Sequence, residues 1–123
     1  MRTPTLLALM LGLWSGAALA LAAPDEARGA RLFSDQCSMC HSLSAGENGM
    51  GPSLHGVSGA PTGHASNFAY SPGLAAHKVR WTEANLDRFL ADPAAFAPGS
   101  AMPVSVPAAT DRADLIAYLK SAR

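Results

Sequence analysis

Five consecutive residues, Cys37-Ser38-Met39-Cys40-His41, constrain this chain more than anything else in it. Two thiols three positions apart project from one turn of chain, so both can bond a single planar ligand, and the residue that follows is delivered beneath it. A Cys-x-x-Cys-His run is the attachment signature of c-type haem, in which the thiols join the two vinyl groups and the imidazole ligates iron. A thioredoxin-like redox pair would sit between a strand and a helix, and no strand-like run precedes Cys37. A structural zinc site would need two more ligands, and His55, His64 and His77 lack the His-x(3 to 5)-His spacing of finger sites.

Residues 1–22 read as a secretory signal, with Arg2 at the start, an apolar run over 6–13 and small residues after it. Ala18-Leu19-Ala20 and Ala20-Leu21-Ala22 both fit an A-x-A cleavage site. Cleavage after Ala22 is favoured over retention as a membrane anchor, because Ser15, Gly16 and the alanines dilute the apolar stretch. Delivery outside the cytoplasm, to the bacterial periplasm, is expected either way.

The remaining residues, 23–123, suffice for one domain with a modest polypeptide core, to which a buried haem would add apolar bulk. The full chain has 9 Lys+Arg against 9 Asp+Glu, and without Arg2 the balance is 8 to 9. No basic patch supports nucleic-acid binding.

Pro24-Asp25-Glu26 predicts a helix start, with proline in the first turn and acids at the positive end of the dipole. Ala30, Phe33 and Gln36 would share a face, with Gly29 one turn before Phe33. From 42 to 63 the composition indicates ordered loop or disorder. Its functional reading is a loop around the haem, in which a carbonyl near Pro52 accepts the second ring N–H of His41. His55, His64 and His77 read as loop hydrogen-bonding residues. Buried Tyr70 and Trp81 would each need an acceptor, and haem propionates are natural ones. Residues 71–76 suggest a turn and one helical turn.

Thr82 is a good N-cap for a helix carrying Leu86, Phe89 and Leu90 on one face, ended by Asp92-Pro93. Pro98 and Pro103 exclude a regular helix around Met102. A methionine displayed on such a loop, 61 positions after His41, is placed to ligate iron through its thioether. Met39 and Met50 have no such setting. Thr110-Asp111 would cap the last helix, with Leu115, Ile116, Tyr118 and Leu119 as its apolar stripe and Arg112, Asp114 and Lys120 on its wet side. The fold class that follows is all-α, three main helices and haem-wrapping loops around one covalent haem c.

From Gly29 to Lys120 the chain resembles class I cytochromes c of the mitochondrial type and their short bacterial relatives. The resemblance rests on Gly29, Phe33, Cys37-x-x-Cys40-His41, Gly51-Pro52-Ser53-Leu54-His55-Gly56, Tyr70, Trp81, Pro93, Pro98-Gly99-Ser100-Ala101-Met102 and the run from Arg112 to Lys120. It implies that Cys37 and Cys40 hold the haem, that His41 and Met102 are axial ligands, and that the Pro52 carbonyl supports His41. It implies too that Tyr70 and Trp81 bind propionates, and that Gly29 and Phe33 cross the last helix near Leu115 and Tyr118. An arginine usual near the propionates is Ala60 here, an asparagine is Leu74, and a tyrosine near the methionine ligand is Phe89. One residue is missing between His41 and Pro52, and one between Met102 and Arg112.

The function implied is a monomeric periplasmic one-electron carrier, with no anchor of its own, between donor and acceptor oxidoreductases that include membrane complexes. With both axial positions filled, no catalysis is expected. The alternatives are a haem enzyme or gas-binding protein, should Met102 dissociate, and a haem subunit of a larger oxidoreductase complex.

Overall fold

A computed structural model describes residues 16–17 and 22–123; the expected signal segment lies outside the described residues apart from Gly16, Ala17 and Ala22. Five helices follow in order: α1 (Glu26–Gln36), α2 (Pro72–Ala76), α3 (Glu83–Ala91), α4 (Pro93–Phe96) and α5 (Ala109–Ser121). Among the described residues the only extended pairings are isolated bridges, His41 with Asn48 and Pro61 with Arg80. None of the described helices is long and apolar enough to cross a membrane.

Asp25 is the N-cap of α1, its carboxylate accepting the Arg28 N–H at 2.9 Å, so Pro24 stands just before the helix and not in its first turn. Gly29 and Phe33 are buried, Ala30 is half-buried and Gln36, at the last position, is exposed. Gln36 therefore does not share the packed face expected of it. In α3 the Thr82 hydroxyl accepts the Asn85 N–H at 3.2 Å, and Leu86, Phe89 and Leu90 are buried. Asp92 ends that helix and caps the short α4 that Pro93 begins.

The start of α5 differs from the sequence expectation. Its N-cap is Ala108, with no side-chain cap, and Thr110 and Asp111 lie inside the first turn. Asp111 is drawn instead to the Arg28 guanidinium of α1. Asp114 is likewise not on the wet side. It is buried against α1, where its carboxylate accepts the Asp25 backbone N–H at 2.7 Å and an Arg28 N–H at 2.6 Å. Burying a charge is costly unless it is paired and hydrogen-bonded, and here it is both.

The reason Asp114 is covered is Gly29. A Cβ on Gly29 would stand 2.6 Å from the Asp114 carbonyl carbon and 2.9 Å from the Tyr118 Cβ, so the two helices cross with backbones in contact. Phe33 and Tyr118 meet alongside, ring centroids 5.7 Å apart. Leu115, Ile116 and Leu119 point into the core shared with α3, and Trp81, Phe89 and Phe96 cluster with centroids 5.0 to 5.8 Å apart.

The glycine-rich segment is ordered by its own hydrogen bonds. Gly51 N–H donates to the Cys40 carbonyl at 2.9 Å and Leu54 N–H to the Ser42 carbonyl at 2.8 Å. Asn48 clips this loop to the next: its Oδ1 accepts the Ser53 N–H at 2.9 Å, and its Nδ2 donates to the Ser66 and Asn67 carbonyls.

Candidate functional site

Between α1, α3, α5 and the loops lies an apolar cavity of about 460 Å³. Sites of this size and lining suit a small cofactor. All the residues singled out from sequence line it: Cys37, Cys40, His41, Pro52, Tyr70, Trp81 and Met102.

The attachment motif follows directly on α1. Cys37 N–H closes the last helical bond to Phe33 at 2.9 Å, and the N–H groups of Cys40 and His41 both return to the Cys37 carbonyl, at 3.0 and 2.9 Å. This tight turn is what brings two cysteines and a histidine to one cavity wall. Both cysteines are half-buried at this wall.

His41 Nδ1 lies 2.7 Å from the Pro52 carbonyl oxygen. A carbonyl only accepts, so Nδ1 carries the proton and Nε2 keeps its lone pair for a metal. A bond of this kind fixes the ring and raises its basicity as a ligand. Gly51 makes the approach possible: a Cβ there would sit 2.7 Å from Nδ1 and 2.8 Å from Nε2. In the sequence Gly51 is one residue of a glycine-rich loop; its role against the imidazole is a contact across the fold that no spacing reveals.

Met102 lies on the loop after α4, half-buried at the cavity, with its N–H 3.4 Å from the Ser100 hydroxyl. Trp81 is buried. The Tyr70 hydroxyl accepts the Ala65 N–H at 3.0 Å, leaving its own proton for another acceptor, and burial pushes the phenol above its ordinary value. Leu74 and Phe89, which replace polar residues of the resembled family, are both in the wall and make it more apolar.

The other histidines behave as loop residues. His55 Nδ1 meets the Leu43 carbonyl and His64 Nε2 the His55 carbonyl, each at 3.2 Å, while the His77 ring packs on Phe96. His64 also lines the cavity, which its sequence setting did not indicate. None of these three histidines lies in a cluster of three or more His, Cys, Asp or Glu side chains among the described residues.

A paired-thiol turn, an oriented imidazole and a thioether around one apolar cavity fit a covalently held haem. The fold and site together define a small helical haem-c domain. Comparison with known proteins places it further: residues 26–123 match the family model described as cytochrome c, and the chain belongs to the cytochrome c family. It is 37% identical over 98 residues to cytochrome c of Euglena viridis, covering 79% of this chain and 96% of that one. Cytochrome c of Tetrahymena pyriformis is 43% identical over 98 residues, covering 79% and 88%. Among solved structures, cytochrome cH from Methylobacterium extorquens superposes with a TM-score of 0.73 at 37% identity, covering 79% of this chain and 98% of that one. The cofactor is one covalently bound haem c, and the protein is a haem-c electron carrier.

Proposed function

We propose that this chain is an exported, monomeric one-electron carrier of the periplasm whose iron is held by His41 Nε2 and the Met102 sulfur. Cys37 and Cys40 form the thioethers, and Tyr70 and Trp81 donate to the propionates. The haem supplies reversible Fe(III)/Fe(II) chemistry; the chain holds it, orients it and keeps water from it. The observation that carries this reading is that His41, its tautomer set by Pro52, and Met102 line one cavity. With imidazole and thioether both engaged, iron keeps no open position, so transfer of electrons to other proteins and not catalysis is the expected activity. Export rests on residues 1–22, whose Arg2, apolar run and A-x-A sites match a cleaved signal.

The docking surface for donor and acceptor oxidoreductases, membrane complexes among them, is neutral. Ala101, Pro103 and Val104 rim the cavity, Ala94 and Ala95 are exposed on α4, and residues 104–110 carry no charge. Lys120 is paired with Glu83, and Arg112 is held by Asp87 and the Val106 and Pro107 carbonyls.

The test is the visible and near-infrared spectrum. The oxidised protein should be low-spin with a sulfur-to-iron(III) charge-transfer band, which Met102→Ala abolishes. Met102→His should lower the potential, since imidazole favours Fe(III) relative to thioether. A high-spin ferric wild type at neutral pH would replace this reading with a haem enzyme or gas-binding protein.

A further inference from the structure

The loop bearing Met102 is held with few hydrogen bonds. Ala97 N–H returns to Pro93 at 3.0 Å and Ser100 N–H to Ala97 at 2.9 Å at its start, and Val106 N–H reaches Leu90 at 2.7 Å near its end. Among the described residues, the backbone of 101–105 makes no hydrogen bond outside the loop; Met102 N–H meets only Ser100. Something else must fix its height over the cavity.

That contact is with α2. A Cβ on Gly73 would lie 2.7 Å from the Pro98 carbonyl carbon, closer still to its oxygen, and 3.1 Å from the Gly99 carbonyl carbon. Conversely, a Cβ on Gly99, whose φ is +85°, would touch Gly73 Cα and N at 3.7 Å. Two glycines thus meet with no side chain between them. On either side of this seam the chain turns to the cavity, through Ser71 and Leu74 on one part and Ser100 and Met102 on the other.

We propose that Gly73 is the positioning residue for Met102: its missing side chain lets α2 seat the Pro98-Gly99 turn, and that seat holds the Met102 loop closed. The inference rests on Met102 being an iron ligand. A methyl group at Gly73 must push α2 and the turn apart, because the atoms it meets are backbone and cannot rotate away. The closed loop is then destabilised relative to an open one in which Met102 leaves the iron. An external ligand that binds only the open form gains apparent affinity in proportion to the open fraction.

The experiment titrates imidazole into the ferric holoprotein, following loss of the sulfur charge-transfer band, for wild type, Gly73→Ala, Gly73→Val and the exposed control Ala76→Ser. Imidazole should bind about fivefold or more tightly to Gly73→Ala, more tightly again to Gly73→Val, and unchanged to Ala76→Ser. Far-UV circular dichroism and urea midpoints separate local opening from general loss of stability. Unchanged imidazole affinity in Gly73→Ala, with or without a lowered urea midpoint, overturns the proposal. Should Gly73→Val not fold, Gly73→Ala carries the comparison. A wild type without the sulfur band instead overturns the ligand assignment beneath it, a result readable before any variant is made.

Discussion

Gly29 of α1 and Asp114 of α5 touch backbone to backbone, with a Cβ on Gly29 placed 2.6 Å from the Asp114 carbonyl carbon. In an open helix, alanine for glycine gains about 1 kcal/mol. Here the added methyl meets a carbonyl that cannot move without separating the helices, and overpacking of this kind costs about 1 to 3 kcal/mol. Gly29→Ala should therefore lower the urea midpoint of the holoprotein, and Gly29→Leu should lower it more. A midpoint at or above wild type in Gly29→Ala would show that the crossing has slack.

Asp114 joins the same two helices electrostatically. Its carboxyl is held below the ordinary value of 3.8, chiefly by the Asp25 backbone N–H and then by Arg28. A group with a depressed folded-state pKa adds stability that is complete above its unfolded pKa and is lost as pH falls through the folded value. Asp114→Asn keeps an oxygen for Asp25 but removes the charge. It should be less stable than wild type at pH 5 to 7, and the gap should close as pH drops below 3.8. Urea midpoints measured from pH 7 downward decide it, and a gap that does not narrow as the pH falls below 3.8 would contradict the assignment.

The cavity adjoins Phe33, Trp81, Leu86, Phe89, Leu90 and Leu119, which are the core itself. At about 24 cal/mol per Å³, leaving about 460 Å³ unfilled would cost at most on the order of 10 kcal/mol, comparable with the whole stability of a domain. Holding haem and folding should accordingly be one event. Cys37→Ala with Cys40→Ala, produced without haem, should show no persistent tertiary structure in its amide spectrum. A cooperative, well-dispersed apoprotein would refute this.

The neutral rim predicts how the protein meets its partners. A like-signed patch can raise association rates by about 10- to 10³-fold, with a steep fall as salt rises. Gln36, Ala94, Ala95 and Ala101 stand where the resembled family carries lysines, and all four are exposed. Stopped-flow oxidation by the native partner should change by less than about tenfold from 0.01 M to 0.5 M salt, a range over which the screening length falls several-fold from about 30 Å. A larger fall would mean that Arg80 or Arg88, both exposed, steers the encounter.

Local chemistry made much of this protein legible before any fold was known. The Cys37-to-His41 turn, the Thr82 cap, the apolar faces of α3 and α5 and the proline-bounded Met102 loop each depend on residues a few positions apart, so spacing alone carries them. Other features are contacts between distant backbones. Asp114 reads as solvent-facing in its own helix and is buried only because Gly29, far along the chain, lets α1 come close. Asp111 reads as a cap and is taken by Arg28, leaving Ala108 to begin α5. Gly51 under the imidazole, Asn48 bridging two loops and Gly73 against Pro98 belong to the same class. An absent side chain leaves no pattern in a sequence; what it permits is decided by which backbone arrives there, and only tertiary packing settles that.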